Sequence, residues 1–139
     1  NKSHLEAEGV DTSAIFYGKQ PSGVAHILVD SKGENRIIII PGANLELNKE
    51  FIENAVYTIS NLSIVVAQCE LPQEFGIAAF KSAKVKNAVT ILNPAPAVKL
   101  SEELIELSDW IVPNQIEFYS LSNEIPGGDL VQQIKKYIH

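Results

Sequence analysis

Between Ala14 and Ile40 apolar residues recur with a period of two. Residues 14–19, 24–30 and 36–40 are rich in valine and isoleucine, and Gln20-Pro21-Ser22-Gly23 and Ser31-Lys32-Gly33-Glu34-Asn35 between them have turn composition. The pattern predicts three strands joined as two hairpins, a small antiparallel sheet. Alternation puts Ala25, Ile27 and Val29 on one face of the middle strand and Val24, His26 and Leu28 on the other. Neither face is wholly polar. Each must therefore lie against something: the chain's own core, a second subunit or a ligand.

Past Leu47 the rhythm changes. Asn48 is placed to cap a helix running through Ile59, and residues 63–67 form a short apolar strand of the kind buried on both faces. A helix over 72–85, a strand over 89–92, a helix over 101–107, a strand over 110–112 and a helix over 114–121 follow. This alternation predicts parallel strands joined by right-handed crossovers. Asp129 is placed to cap one more helix over 129–139, and residues 1–9 read as the last turns of a helix closed by Gly9. The fold class is α/β, a parallel sheet flanked by helices with a small antiparallel sheet beside it.

Composition narrows the function. Eleven Lys and Arg against seventeen Asp and Glu leave a net charge of −6 over 139 residues. That balance argues against a nucleic-acid partner, which needs a concentrated positive surface. With 45% hydrophobic and 20% charged residues the chain can bury a core, yet apolar runs such as residues 37–40 are too short to span a bilayer. A single cysteine, Cys69, makes no internal disulfide and reads as buried apolar filler, which together with the lack of a signal-peptide pattern points to the cytoplasm. There is no Met, even at position 1.

Open α/β sheets bind ligands outside the carboxyl ends of their strands, where loops and helix N-termini converge. In this sequence those positions are Gln68-Cys69-Glu70, Asn93-Pro94-Ala95-Pro96 and Pro113-Asn114-Gln115-Ile116-Glu117. Every strand exits into an amide or a carboxylate, a set suited to a hydroxyl-rich ligand with phosphate or magnesium nearby. Each residue also has a plainer role. Asn114 and Glu117 have capping-box spacing, Glu70 suits the start of a helix, and Asn93 before Pro94 forms turns. His4, His26 and His139 are scattered and none stands at metal-ligand spacing. Pro126-Gly127-Gly128-Asp129 imitates an anion hole with a base, but no strand precedes it, and Asp129 reads as a helix cap.

Taken in order, Gly9-Val10-Asp11-Thr12, Gly23-Val24-Ala25, Gly33-Glu34-Asn35-Arg36, Pro41-Gly42-Ala43-Asn44, Gln68-Cys69-Glu70, Asn93-Pro94-Ala95-Pro96 and Pro113-Asn114-Gln115-Ile116-Glu117 resemble the PfkB carbohydrate kinase family, and within it the ribokinases. The resemblance implies a partial ribokinase-like core with a β lid: residues 1–9 the end of a core helix, 10–44 the lid and 45–139 the partial α/β core. It implies transfer of a phosphoryl group from ATP, with Mg2+, to the 5-hydroxyl of ribose, and K+ or a similar monovalent cation in the complete enzyme. Ala25, Ile27 and Ile39 match lid positions that pack on the sugar, and Glu70 matches a carboxylate that binds its hydroxyls. Asn114 and Glu117 match the motif near the nucleotide phosphates, with Glu117 organising magnesium indirectly. Gln115 departs from the acidic residue often found there. A homodimer through the lid is also implied.

The same resemblance implies an internal portion of a longer enzyme. The family's Gly-Gly-Lys-Gly-Ala-Asn sugar segment is expected before Asn1, and its Gly-Ala-Gly-Asp segment, which carries the general base, beyond His139. No catalytic base is therefore expected in this chain, and the portion alone is expected to be inactive. The competing readings are a non-catalytic module for sugar binding or dimerisation, and a related sugar or nucleoside kinase. A flavodoxin-like regulator fits less well, because it leaves the antiparallel sheet and the motif order unexplained.

Overall fold

A computed structural model describes residues 2–122, 124 and 126–136. The chain opens with helix α1 (Lys2–Ala7), which closes at Gly9. The Gly9 amide donates to the Glu6 carbonyl (3.1 Å) and the Val10 amide to the Leu5 carbonyl (3.0 Å), with Gly9 at φ +79°. That left-handed turn is the glycine-closed helix end expected from the sequence.

Strands β1 (Val24–Val29) and β2 (Asn35–Ile40) form one antiparallel hairpin, paired from Val24–Ile40 to Val29–Asn35. Asp30 organises its tip. Its side chain accepts from the Lys32 amide (2.8 Å) and the Glu34 amide (3.0 Å), and Gly33 takes φ +83° to close the loop. The strand expected over residues 14–19 does not form. Ser13 donates its amide to Asp11 Oδ1 (2.8 Å) and Ile15 donates to the Thr12 carbonyl (3.1 Å), so the segment opens as a turn. Further along, the amides of Lys19 and Gln20 are taken by the Glu46 carboxylate rather than by a neighbouring strand. The antiparallel sheet thus has two strands and one hairpin. A 3-10 helix over Gly42–Glu46 leads into α2 (Lys49–Thr58), capped by Asn48, whose side chain accepts from the Phe51 amide at 2.8 Å.

The second sheet is parallel, in the order β3 (Ile64–Gln68), β4 (Val89–Asn93), β5 (Trp110–Ile111). Between its strands run α3 (Gln73–Val85) and α4 (Glu102–Glu106), the latter capped by Ser101. Helices α5 (Gln115–Ser122) and α6 (Leu130–Lys135) follow β5. Asp129 caps α6 through the amides of Val131 and Gln132, as the sequence suggested; the last residues of that expected helix, 137–139 with His139, lie outside the described residues.

The core forms on one face of the parallel sheet. Phe80 and Leu92 are fully buried, with Leu104, Leu100 and Cys69 around them, and Val65, Ala67 and Ile111 close the sheet side. The opposite face carries the row Val66, Ile91, Trp110, set by the strand register. Here Ile64, Val66 and Trp110 are 55%, 67% and 65% exposed. The first parallel strand is therefore covered on one side only, against the expectation of burial on both.

At the amino ends of β4 and β5 a polar knot seals the sheet. The buried Thr90 donates its hydroxyl to the Leu107 carbonyl (2.6 Å) and accepts from the Asp109 amide (3.0 Å), while Asp109 Oδ2 accepts from the Thr90 amide (2.8 Å). Lys84 Nζ reaches Asp109 Oδ1 at 2.6 Å. The Lys84 hydrogen bond first, then those from Thr90, hold the Asp109 carboxyl down from 3.8 to about 2.

Candidate active site

Because β3, β4 and β5 are parallel, their carboxyl ends open on the same side and their exit loops meet. The register sets Gln68 beside Asn93 at that edge. One residue on, the Cys69 amide donates to the Ala95 carbonyl (2.9 Å), tying the first exit loop to the second. Gln68 Oε1 accepts from the Glu70 amide, which folds the chain back sharply and leaves Glu70 exposed. The Glu70 carboxylate makes no hydrogen bond or ion pair to any described residue. A carboxylate held by its backbone but free at its oxygens suits recognition of hydroxyl groups.

Helix α5 begins with a reciprocal cap. Asn114 Oδ1 accepts from the Glu117 amide (2.9 Å), while Glu117 Oε2 accepts from the Asn114 amide (2.8 Å) and Oε1 from Asn114 Nδ2 (2.7 Å). The capping arrangement expected from the spacing is formed, with an extra side-chain link. Glu117 is only 5% exposed. No lysine or arginine pairs with it among the described residues. Its negative charge acts on Cys69: burial first, and then the Glu117 charge, push the thiol above its ordinary range. Cys69 is thus the buried residue expected, and it also connects the first strand exit to the third.

Among the described residues no group of three or more His, Cys, Asp or Glu is arranged to hold a metal. A magnesium ion usually keeps several waters and is bound through substrate phosphates and one or two carboxylates. Glu117, with both oxygens already accepting from Asn114, fits a place behind such an ion's waters rather than a direct ligand role.

The hairpin residues separate by face. The pairing Ala25–Ile39 and Ile27–Ile37 puts Ala25, Ile27 and Ile39 on one face, with Val29 beyond them. His26, Ile38, Leu28 and Arg36 occupy the other. All twelve strand residues are exposed. The strand-exit residues are joined to one another by hydrogen bonds, and none of the bonds among the described residues joins the hairpin strands to them. Sequence reading passed over Gln68 as the partner of the Glu70 amide and Glu46 as the partner of Lys19 and Gln20. The first contact had a local signal, a two-residue spacing; the second spans 26 and 27 residues and had none.

Residues 1–139 match the pfkB family of carbohydrate kinases. Ribokinase of Staphylococcus aureus (strain COL) is 43% identical over 114 residues, covering 81% of this chain and 38% of its own length. The crystal structure of ribokinase from Thermotoga maritima superposes with a TM-score of 0.74 at 34% identity, covering 98% of this chain and 44% of that one. Arabidopsis thaliana ribokinase, solved with ribose and ATP, gives a TM-score of 0.63 at 27% identity over 85% of this chain and 39% of its own. The chain thus spans about two fifths of the length of these relatives. With the match running from its first residue to its last, the chain belongs to the pfkB family of carbohydrate kinases.

Proposed function

We propose that this chain is part of a ribokinase, an enzyme that uses ATP to phosphorylate the 5-hydroxyl of D-ribose. The likeness to a plant ribokinase that holds ribose and ATP carries this reading. In it, the Glu70 carboxylate hydrogen-bonds sugar hydroxyls, and the apolar face with Ala25, Ile27 and Ile39 packs on the ring as a lid. Asn114 and Glu117 stand near the nucleotide phosphates, Glu117 holding magnesium waters in place. ATP with Mg2+ supplies the phosphoryl group and screens its charge. A monovalent cation such as K+ acts in the complete enzyme, in a cytoplasmic setting.

The base that deprotonates the sugar hydroxyl and the anion hole belong, in this reading, to a segment beyond residue 139. The uncovered sheet face at Ile64, Val66 and Trp110 supports the proposal, since a larger enzyme has chain with which to cover it. The face with His26, Leu28, Ile38 and Ile40 is proposed to pair two subunits as a homodimer.

The test is ATP-dependent phosphorylation by the complete protein, measured with ribose beside other pentoses, hexoses and nucleosides. Ribose is expected to give the highest kcat/KM, and the 139-residue chain alone to give no turnover. A higher kcat/KM for a nucleoside would replace the substrate. Turnover by the 139-residue chain would overturn the placement of the base.

A further inference from the structure

The hairpin has no buried strand residue to hold it, yet the chain segments at its root are fastened together. One fastening is the side chain of Glu46. Its Oε2 accepts from the Lys19 amide at 2.5 Å and its Oε1 from the Gln20 amide at 3.0 Å. Two successive backbone N–H groups aimed at one anion make a small nest, and charge-assisted hydrogen bonds of this kind are roughly twice as strong as neutral ones. No lysine or arginine pairs with Glu46 among the described residues, so the backbone amides are the partners that answer its charge.

The surrounding backbone is built around this contact. A Cβ at Gly18 would lie 2.1 Å from Glu46 Oε2, so any side chain there would push the carboxylate away. At Gly42, with φ +54°, a Cβ would lie 2.3 Å from the Pro21 carbonyl, and at Gly23 it would lie 2.7 Å from the Pro41 carbonyl. The Ala43 amide donates to the Pro21 carbonyl at 2.9 Å. The segments entering and leaving the hairpin therefore lie backbone to backbone. Glu46 ends the short helix that leads, through the Asn48 cap, into α2, and α2 packs on α3 against the parallel sheet. Glu46 thus ties the entering segment to the body of the protein, beside the Ala43–Pro21 bond and the ring of Phe16, which lies 5.2 Å from that of Phe51 on α2.

We propose that Glu46 is a positioning residue that sets the attitude of the hairpin over the sugar. It acts through the backbone of Lys19 and Gln20 and touches no substrate. The inference rests on the reading of the hairpin as a lid over ribose. Loss of the clasp would leave Ala25, Ile27 and Ile39 intact and let the sheet that carries them swing about its root.

Two substitutions break the clasp in different ways. Glu46→Gln keeps the size but leaves one acceptor oxygen and turns an amide group toward the second N–H. Gly18→Ala displaces the carboxylate without changing Glu46. In the complete enzyme each is expected to raise the KM for ribose about tenfold, with kcat changed no more than about twofold and the KM for ATP unchanged. The double variant is expected to be no worse than either single one, because both remove the same contact. Unchanged ribose KM in both single variants, or effects that multiply in the double variant, would overturn the proposal.

A second measurement is independent of turnover. Spin labels on cysteines replacing Lys32 at the hairpin tip and Lys81 on α3, with Cys69→Ala, report the distance between hairpin and body by pulsed electron resonance. One narrow distance is expected in the parent and a broad distribution in Glu46→Gln and Gly18→Ala. An unchanged distribution in both sinks the clasp whatever the kinetics. A protein that does not phosphorylate ribose but shows the broadening would sink the ribokinase reading and leave the clasp standing.

Discussion

Asn114 and Glu117 hold each other at three points, two of them on the Glu117 carboxylate oxygens and one on the Glu117 amide. This pair is both a helix cap and the proposed neighbour of the nucleotide phosphates, so two kinds of loss should appear together. Removing a cap costs about 1 kcal/mol, and stranding buried donors adds about 1–3 kcal/mol. In the complete enzyme, Glu117→Ala is expected to lower thermal stability, to lower kcat and to raise the Mg2+ concentration needed for half-maximal rate. Glu117→Gln, which keeps one of the two oxygens that accept from Asn114, should recover part of the stability and little of the rate. Full recovery of the rate in the glutamine variant would assign Glu117 to capping alone.

Glu70 offers the contrasting case. Its backbone amide is pinned by Gln68 while its carboxylate has no partner among the described residues. Glu70→Ala in the complete enzyme is therefore expected to leave the melting temperature near the parent value and to raise the KM for ribose by about tenfold to a hundredfold, the scale of one or two charge-assisted hydrogen bonds. The KM for ATP should stay put. If the melting temperature falls and the ribose KM does not rise, Glu70 is a structural residue.

Much of the architecture was legible because its signals are local. Asn48, Ser101 and Asp129 each accept from an amide two or three residues on, and Gly9 closes α1 with the left-handed turn its lack of a Cβ permits. The strand exits were legible as well, since a parallel α/β sheet gathers its carboxyl ends whatever the detailed packing. Residues 14–19 misled because apolar alternation measures fitness for a pleated surface, while Glu46, distant in sequence, took the amides of Lys19 and Gln20. Ile64 and Val66 misled for a related reason: apolar composition states that a face can be covered, and the covering element is a separate matter. The pairing of Asn114 with Glu117 was readable from spacing; that Cys69 senses the Glu117 charge needed three loops placed together.

That electrostatic link makes Cys69 a reporter of the site. Burial and then the Glu117 charge raise its pKa, so the fraction of reactive thiolate is small at pH 8 and grows only at higher pH. Alkylation by iodoacetamide, followed by intact mass, is expected to be slower than for a free thiol at pH 8. Glu117→Gln removes the second cause and should move the midpoint of the rate-against-pH curve downward. A faster rate at all pH values with an unmoved midpoint would show that the variant had only opened access to the thiol.

At the far end of the sheet, Asp109 contributes to stability in a pH-dependent way. Its carboxyl is held at about 2, below its ordinary 3.8, by Lys84 and then by Thr90. A carboxylate with a lowered folded-state pKa stabilises the fold at pH values above its ordinary pKa, and that contribution disappears as the pH falls through the folded value. The window here runs from about pH 4 down to about pH 2. Asp109→Asn should therefore be less stable than the parent at pH 7, and the gap should close across that window, as followed by urea unfolding at each pH. Thr90→Val removes the donor to the Leu107 carbonyl in a part-buried setting, while the Asp109 amide keeps the Thr90 carbonyl, and the expected loss is about 1 kcal/mol at pH 7. Equal losses at pH 7 and pH 2 for Asp109→Asn would show that the asparagine disturbs packing and that the carboxylate charge contributes nothing to the fold.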